Sequence, residues 1–305
     1  MKDKLILAAK GFCMGAADVV PGVSGGTMAF ILGIYRDLIN AIKSFDHRWV
    51  MSILRLDFKT AIGRPHFPFL IPLGFGLFAA LMFFTRVVSL PRLIVTNPEQ
   101  IYGLFFGLIV GSTVVLLRNM EGLKFSETGM ILPGLIVGLV IFNLVPTQTP
   151  EAAWFVFLSG ALAICAMILP GISGSFILLI LNKYAYIFNA IGHFKFVVIV
   201  PFALGCATGL LLFARLLSWL LENYYRKTIL FISGLLLASL YVIWPFQERV
   251  FEVVRGKSRM ISSSPVWPAE ITGSVMSSAA LVVVGVMLVI TLTWFGQKKK
   301  TSGNT

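Results

Sequence analysis

The pattern Pro-Gly-Xaa-Ser-Gly occurs twice, at 21–25 and 170–174, and each copy interrupts a long apolar stretch. A shift of 149 lays residues 15–45 on 164–194 with 12 of 31 positions identical. Among them are Pro21/Pro170, Gly22/Gly171, Ser24/Ser173, Gly25/Gly174, Tyr35/Tyr184, Asn40/Asn189 and Phe45/Phe194. A shift of 129 then joins Pro72, Gly76, Arg86 and Ser89 to Pro201, Gly205, Arg215 and Ser218. A shift of 127 joins Gly107 and Ser112 to Gly234 and Ser239. Chance matches in apolar sequence favour Leu and Val; ordered Pro, Gly, Ser, Asn and Arg matches mean a duplication.

The repeat belongs in a bilayer. Hydrophobic residues make up 57% of the chain and charged ones 12%, with a mean hydropathy of +0.90; a soluble domain carries about a quarter charged residues. A soluble enzyme or nucleic-acid binder is excluded, and the formal charge of +12 is read as a membrane-facing bias. A crossing helix needs about 20 apolar residues. Segments 69–90, 101–117, 129–146, 196–221, 228–246 and 271–295 meet or approach that length. Arms 5–17 and 26–39 are too short, at roughly 20 Å each as helix, so 5–39 reads as a re-entrant hairpin. Its counterpart is 152–190, although 152–169 is long enough to cross alone. The N-terminal stretch, interrupted by Lys10, reads as a retained first element rather than a signal peptide.

The expected fold is an all-α polytopic membrane protein of two units, 1–149 and 150–305, each a re-entrant hairpin plus three transmembrane helices. Three crossings are odd, so the second unit is inserted upside down. On this topology 1–4, 36–66, 118–127, 222–227 and 296–305 are cytoplasmic and hold 15 of the 25 Lys and Arg, against seven outside and three in apolar segments. Four fully crossing arms give the same parity. Both termini are cytoplasmic, with Lys298–Lys300 as an anchor. In the loop 40–66, Arg48, Ser52, Arg55 and Lys59 recur at helical spacing away from Val50, Ile53 and Leu54, which fits one amphipathic helix or a plain solvated loop.

Inverted repeats with interrupted helices mark alternating-access transporters; a duplication without transport and a pseudo-symmetric enzyme are the alternatives. Irregular backbone at membrane depth needs a polar cavity or protein around it. After Pro21-Gly22 and Pro170-Gly171, free N–H groups and the hydroxyls of Ser24, Thr27, Ser173 and Ser175 make an anion-binding end, with Gly25, Gly26 and Gly174 permitting close approach. The plain alternative is that Pro-Gly only turns the chain and Ser caps the arm. Arg86 and Arg215 are equivalent in the repeat and suited to phosphate, or else snorkel to headgroups. Asp18, whose repeat partner is Met167, is a candidate for a coupling proton; otherwise it pairs with Lys10 or an arginine, or caps a helix. Lys183 reads as an interfacial anchor rather than a phosphate contact. Cys13, Cys165 and Cys206 are unclustered, as are His47, His66 and His193, so neither metal nor other cofactor is expected.

Gly15-Ala16-Ala17-Asp18-Val19-Val20-Pro21-Gly22-Val23-Ser24-Gly25-Gly26-Thr27, with Gly33-Ile34-Tyr35 and then Pro170 to Ser175, resembles the bacterial polyprenyl-phosphate transporter family over nearly the whole chain. The resemblance implies a non-enzymatic flippase that returns undecaprenyl phosphate to the inner leaflet of the cytoplasmic membrane for envelope synthesis. It also implies the lipid and the membrane as partners. Coupling to a proton or sodium is open, and so is the oligomeric state. Undecaprenyl-diphosphate phosphatases carry a similar hairpin motif, but glycine stands here where their arginine would, and their paired glutamates are absent from the first hairpin. A transporter or channel for a small anion and a structural scaffold are the other readings.

Overall fold

The computed structural model describes residues 2–20, 23–88, 93–94, 96–118, 120, 122, 125–254 and 257–301. Pro21, Gly22 and Ser89 lie outside the described residues, as do the side chains of Lys298–Lys300. The first half contains α1 (Lys2–Asp18), α2 (Gly25–Ile31), α3 (Tyr35–Lys43), α4 (His47–Leu54), α5 (Phe58–Gly63) and α6 (Phe67–Met82), which runs into a π turn at Phe83–Val87. α7 (Pro98–Arg118), a short α8 (Phe125–Thr128) and α9 (Ile131–Phe142) follow. The second half contains α10 (Ala153–Ile168), α11 (Gly174–Ile180), α12 (Tyr184–Gly192), α13 (Phe196–Asn223), α14 (Tyr225–Val242), the strands β1 (Gln247–Val254) and β2 (Lys257–Pro265), and α15 (Gly273–Thr301).

Element bounds follow the sequence shifts. Adding 149 carries α2 onto α11 and α3 onto α12 at both ends; 129 carries the start of α6 onto that of α13, and 127 the start of α7 onto that of α14. The second arm of each hairpin is therefore two short helices rather than one. The break is local chemistry: Gly33 and its repeat partner Asn182 adopt φ of 68° and 52°, a left-handed conformation open chiefly to Gly and Asn. The next N–H then reaches back to close the helix end, Ile34 to the Ala29 carbonyl at 3.0 Å and Lys183 to that of Leu178 at 2.8 Å. α11 and α12 consequently meet at 107°.

Helix pairing is dominated by α1 with α6, α10 with α13, α7 with α15, and α9 with α14. Lipid tails are as apolar as leucine, so close backbone approach at small residues drives such pairing. A Cβ at Gly11 would collide with the Leu73 carbonyl, and one at Gly160 with that of Phe202. Likewise Gly107 abuts Val282, and Gly234 abuts Ile131. Gly160–Phe202 is Gly11–Leu73 carried through the shifts of 149 and 129, and Gly234 is the partner of Gly107 through the shift of 127. Cys165 and Cys206 serve the α10–α13 seam, donating weakly across it to the carbonyls of Gly209 and Gly160. Large apolar side chains such as Phe75 and Phe78 on α6 and Val197 and Leu204 on α13 face outward, as a bilayer solvent requires. The chain is a multi-pass membrane protein.

Several expectations need correction. Among the described residues α7, α13, α14 and residues 273–291 of α15 have span length, and the bent pair α11–α12 makes a fifth if taken as one span; α6, α9 and α10 are shorter apolar helices. α9 has 12 residues, about 18 Å at 1.5 Å per residue. The chain after it is extended because its polar groups are satisfied by the end of α11: Thr147 N–H donates to Ile180 and Thr149 Oγ1 to Leu181. The chain is mostly helical, as the all-α expectation has it, and beside the helices lies one antiparallel hairpin among the described residues, β1–β2, paired from Gln247↔Pro265 to Val254↔Lys257. Loop 40–66 holds two helices, not one amphipathic one. Leu56 at φ 57° breaks it, and Ser52 is buried with its hydroxyl on the Trp49 carbonyl, so it is not part of a polar stripe. Lys183 is no exposed anchor: it is 2% exposed, Nζ donates to Thr149 O at 2.9 Å, and the rings of Phe155 and Tyr186 flank it at 5.6 and 5.5 Å.

Candidate functional site

The two interrupted hairpins meet tip to tip, and the contact is made by the duplicated motif. Ser24 Oγ donates to the Met167 carbonyl at 3.0 Å, and Tyr35 Oη to that of Ile168 at 3.1 Å. Thr27 Oγ1 accepts from Gly171 N–H at 2.8 Å. Gly26 sits so close that a Cβ would stand 2.8 Å from the Ile168 carbonyl oxygen and 2.9 Å from that of Met167. These bonds satisfy carbonyls at the end of α10 and an amide of the second turn. Among apolar helices such groups would otherwise be left unpaired at a cost of several kcal/mol.

The first tip is closed. Ser24 has the extended backbone of an N-cap (φ −123°, ψ 137°), and its Oγ accepts from Gly26 N–H at 3.1 Å. Gly25 N–H donates to Asp18 Oδ1 at 2.7 Å. The chain's own carboxylate thus occupies the electropositive start of α2. Ser24 and Thr27 are only 2% and 1% exposed, and Val20, Val23, Met28 and Ala29 around them join Phe105 and Ile109 of α7 in the larger apolar core. At the other end of α2, Lys10 Nζ donates to the Leu32 carbonyl at 2.8 Å. Lys10 therefore serves the helix end rather than Asp18.

The second tip is open. Its turn needs Gly171: φ is 94°, and a Cβ would lie 2.9 Å from the Leu235 carbonyl oxygen of α14. Ser173 has the same extended N-cap backbone as Ser24 (φ −100°, ψ 131°) but makes no side-chain cap. Its Oγ lies 2.8 Å from Ser175 Oγ, and Ser175 is exposed. Gly174 is buried, 2.6 Å from the Ala163 carbonyl oxygen by its would-be Cβ. Ser24, Gly25, Gly26, Thr27 and Gly171 are thus brought to one junction, with the Ser173–Ser175 pair on its accessible side.

The arginines do not join it. Arg86 lies in the π turn and Arg215 within α13; both are exposed and neither is hydrogen-bonded to a described residue. Tyr35 does join it, although the sequence reading gave it no role. Its recurrence as Tyr184 was the available signal; its partner, a backbone carbonyl, has no signature in sequence.

Residues 14–261 match the family described as undecaprenyl phosphate translocase-like. The chain belongs to that family. A polyprenyl-phosphate transporter of Vibrio cholerae serotype O1 is 43% identical over 243 residues, covering 78% of this chain and 77% of the relative. One of Staphylococcus aureus is 30% identical over 266 residues, covering 79% and 87%. No solved structure matches the chain. The match spans both hairpin tips, so the junction lies inside what the family shares in length.

Proposed function

We infer that the protein carries polyprenyl phosphate, undecaprenyl phosphate in the first instance, between the leaflets of a bacterial cytoplasmic membrane for reuse in envelope synthesis. The observation that carries this reading is the junction itself: Ser24 and Thr27 of one hairpin tip on Met167 and Gly171 of the other inside a lipid-facing bundle, one tip sealed and one presenting the Ser173–Ser175 hydroxyl pair. Family membership and the names of the two relatives point to the same substrate. A lipid phosphate keeps its tail in hydrocarbon, so only the headgroup needs polar partners.

On this reading the chain is two inverted units, 1–149 and 150–305, with both termini cytoplasmic. The glycine contacts Gly11–Leu73 and Gly160–Phe202, and Gly107–Val282 and Gly234–Ile131, support it because the glycines of each pair are related by the repeat. Ser173, Gly174 and Ser175 hold the phosphate in this state. Ser24, Gly25, Gly26 and Thr27 do so when the first tip opens, and the turn Pro170-Gly171 shapes the second end. Arg86 and Arg215 guide the headgroup from either face. Asp18 carries the coupling proton: neutralised, it holds Gly25 N–H more weakly and no longer puts a negative charge where the phosphate would bind.

The test is reconstitution in liposomes with polyprenyl phosphate in one leaflet, followed by accessibility of the phosphate from the other side. Transfer above the protein-free rate is expected. Transfer at the protein-free rate would refute the carrier reading, and release of inorganic phosphate would make the protein a phosphatase. Unchanged transfer in the Arg86→Ala, Arg215→Ala double variant would remove the arginines.

A further inference from the structure

A cavity of about 280 Å³ lies beside the junction, between the α2–α3 corner and helices α7, α13, α14 and α15. Most of its wall is apolar, including Ile31, Leu116 and Ile229. Three of its polar side chains are already satisfied: Ser112 and Thr293 bond carbonyls of their own helices, and Tyr35 bonds Ile168. Arg36 and Tyr225 also line it, and neither has a hydrogen-bond or ion-pair partner among the described residues.

Among the described residues no carboxylate is bonded to the guanidinium, for identifiable reasons. Glu222, the carboxylate whose charge it feels, is taken by Lys43 at 3.1 Å and Ser218 at 2.7 Å. Asp37 is its chain neighbour on α3, and adjacent helix positions do not face each other. An exposed guanidinium with a phenol at the rim of an apolar cavity matches an anion attached to a hydrocarbon. It does not match a hydrated free ion, which would leave the apolar wall unused. Tyr35 joins this cavity to the junction. Tyr35 forms part of the wall, stands edge-on to Phe30 at 5.5 Å, and sends its hydroxyl to the second tip.

We propose that this cavity is an entrance site for the prenyl phosphate headgroup, with Arg36 as its phosphate ligand, Tyr225 as a second donor, and Ile31, Leu116 and Ile229 against the first carbons of the tail. The proposal rests on the carrier reading above and adds a station to it. Arg36 belongs to the basic segment 36–66, so the site serves the leaflet that this segment faces. Tyr35 and Phe30 then form the partition that must move for the headgroup to pass from cavity to tips.

The test uses the full chain in nanodiscs, with farnesyl phosphate, farnesol and inorganic phosphate as probes of binding and polyprenyl phosphate for transfer. Wild type is expected to bind farnesyl phosphate saturably and the other two weakly. Arg36→Ala should weaken farnesyl phosphate about ten- to hundredfold, the range for one charged hydrogen-bonded contact, and leave farnesol unchanged; Arg36→Lys should restore part of the loss. Ile229→Trp, which fills the cavity, should weaken farnesyl phosphate and slow transfer. Leu116→Phe replaces it if melting without ligand shows misfolding. Wild-type affinity in both Arg36→Ala and the filled variant, with transfer intact, overturns the entrance site and leaves the carrier reading standing. Equal, Arg36-dependent binding of inorganic phosphate also overturns it, in favour of a free-anion site. Absence of both binding and transfer in wild type defeats the carrier reading itself.

Discussion

The two hairpin tips share a pentapeptide pattern and an extended serine cap, yet one is sealed and the other open. α2 and α11 have the same length and are preceded by serines in the same extended conformation. Three substitutions within the repeat separate them. Where the first tip has Asp18, Gly26 and Thr27, the second has Met167, Ser175 and Phe176. Asp18 supplies a carboxylate to the helix start, Gly26 lets the other hairpin approach, and Thr27 receives its turn amide. Met167 offers the second tip no charge, so the Ser173–Ser175 pair is left without a backbone task. A duplicated frame thus sets where the ends lie, and a few unduplicated side chains set which one is occupied.

The comparison breaks most readily at the second turn. Gly171→Ala forces a side chain into φ 94° and against Leu235; a loss of about 3 kcal/mol is expected in chemical unfolding of the detergent-solubilised protein. Next is Asp18→Ala, which leaves Gly25 N–H buried and unpaired. It should cost about 2 kcal/mol by the same measurement, while Asp18→Asn, which keeps an acceptor, costs less. The converse swap, Met167→Asp, gives the second tip the carboxylate of the first. Polyprenyl phosphate transfer in liposomes should fall about tenfold, as for about 1.4 kcal/mol of repulsion, and wild-type transfer would show that the open tip is not where phosphate binds. The finest contrast is between the two serine caps. Ser24→Ala should destabilise by about 1 kcal/mol, whereas Ser173→Ala with Ser175→Ala should shift stability by no more than about 0.5 kcal/mol and still slow transfer.

Peripheral regions show a different limit of sequence reasoning. The β1–β2 hairpin follows Trp244, whose indole donates to Val266 O and packs on Trp267 at 5.0 Å. That closure joins residues 22 apart and leaves no periodic signal. The break at Leu56 is similar. Asp46 caps α4 by accepting from Trp49 N–H and also binds Arg64 Nε at 2.7 Å, folding α5 back across α4. A helical spacing of Arg48, Ser52, Arg55 and Lys59 cannot report such a fold-back, because periodicity sees neighbours one turn away and no farther.

By itself the sequence determined that the chain lives in a bilayer, that it is duplicated, and that each half contains one broken hairpin whose tip carries Pro, Gly and Ser. Those features are local: hydropathy and spacing are counted along the chain, and Pro restricts and Gly frees the backbone wherever they stand. Only the tertiary structure decided that the tips touch, that Asp18 closes one of them, that Tyr35 crosses to the other hairpin, and that Arg36 stands unpaired beside a cavity. Each depends on which carbonyl, amide or carboxylate arrives from more than one turn away, and a backbone group looks the same in every sequence until folding gives it a partner.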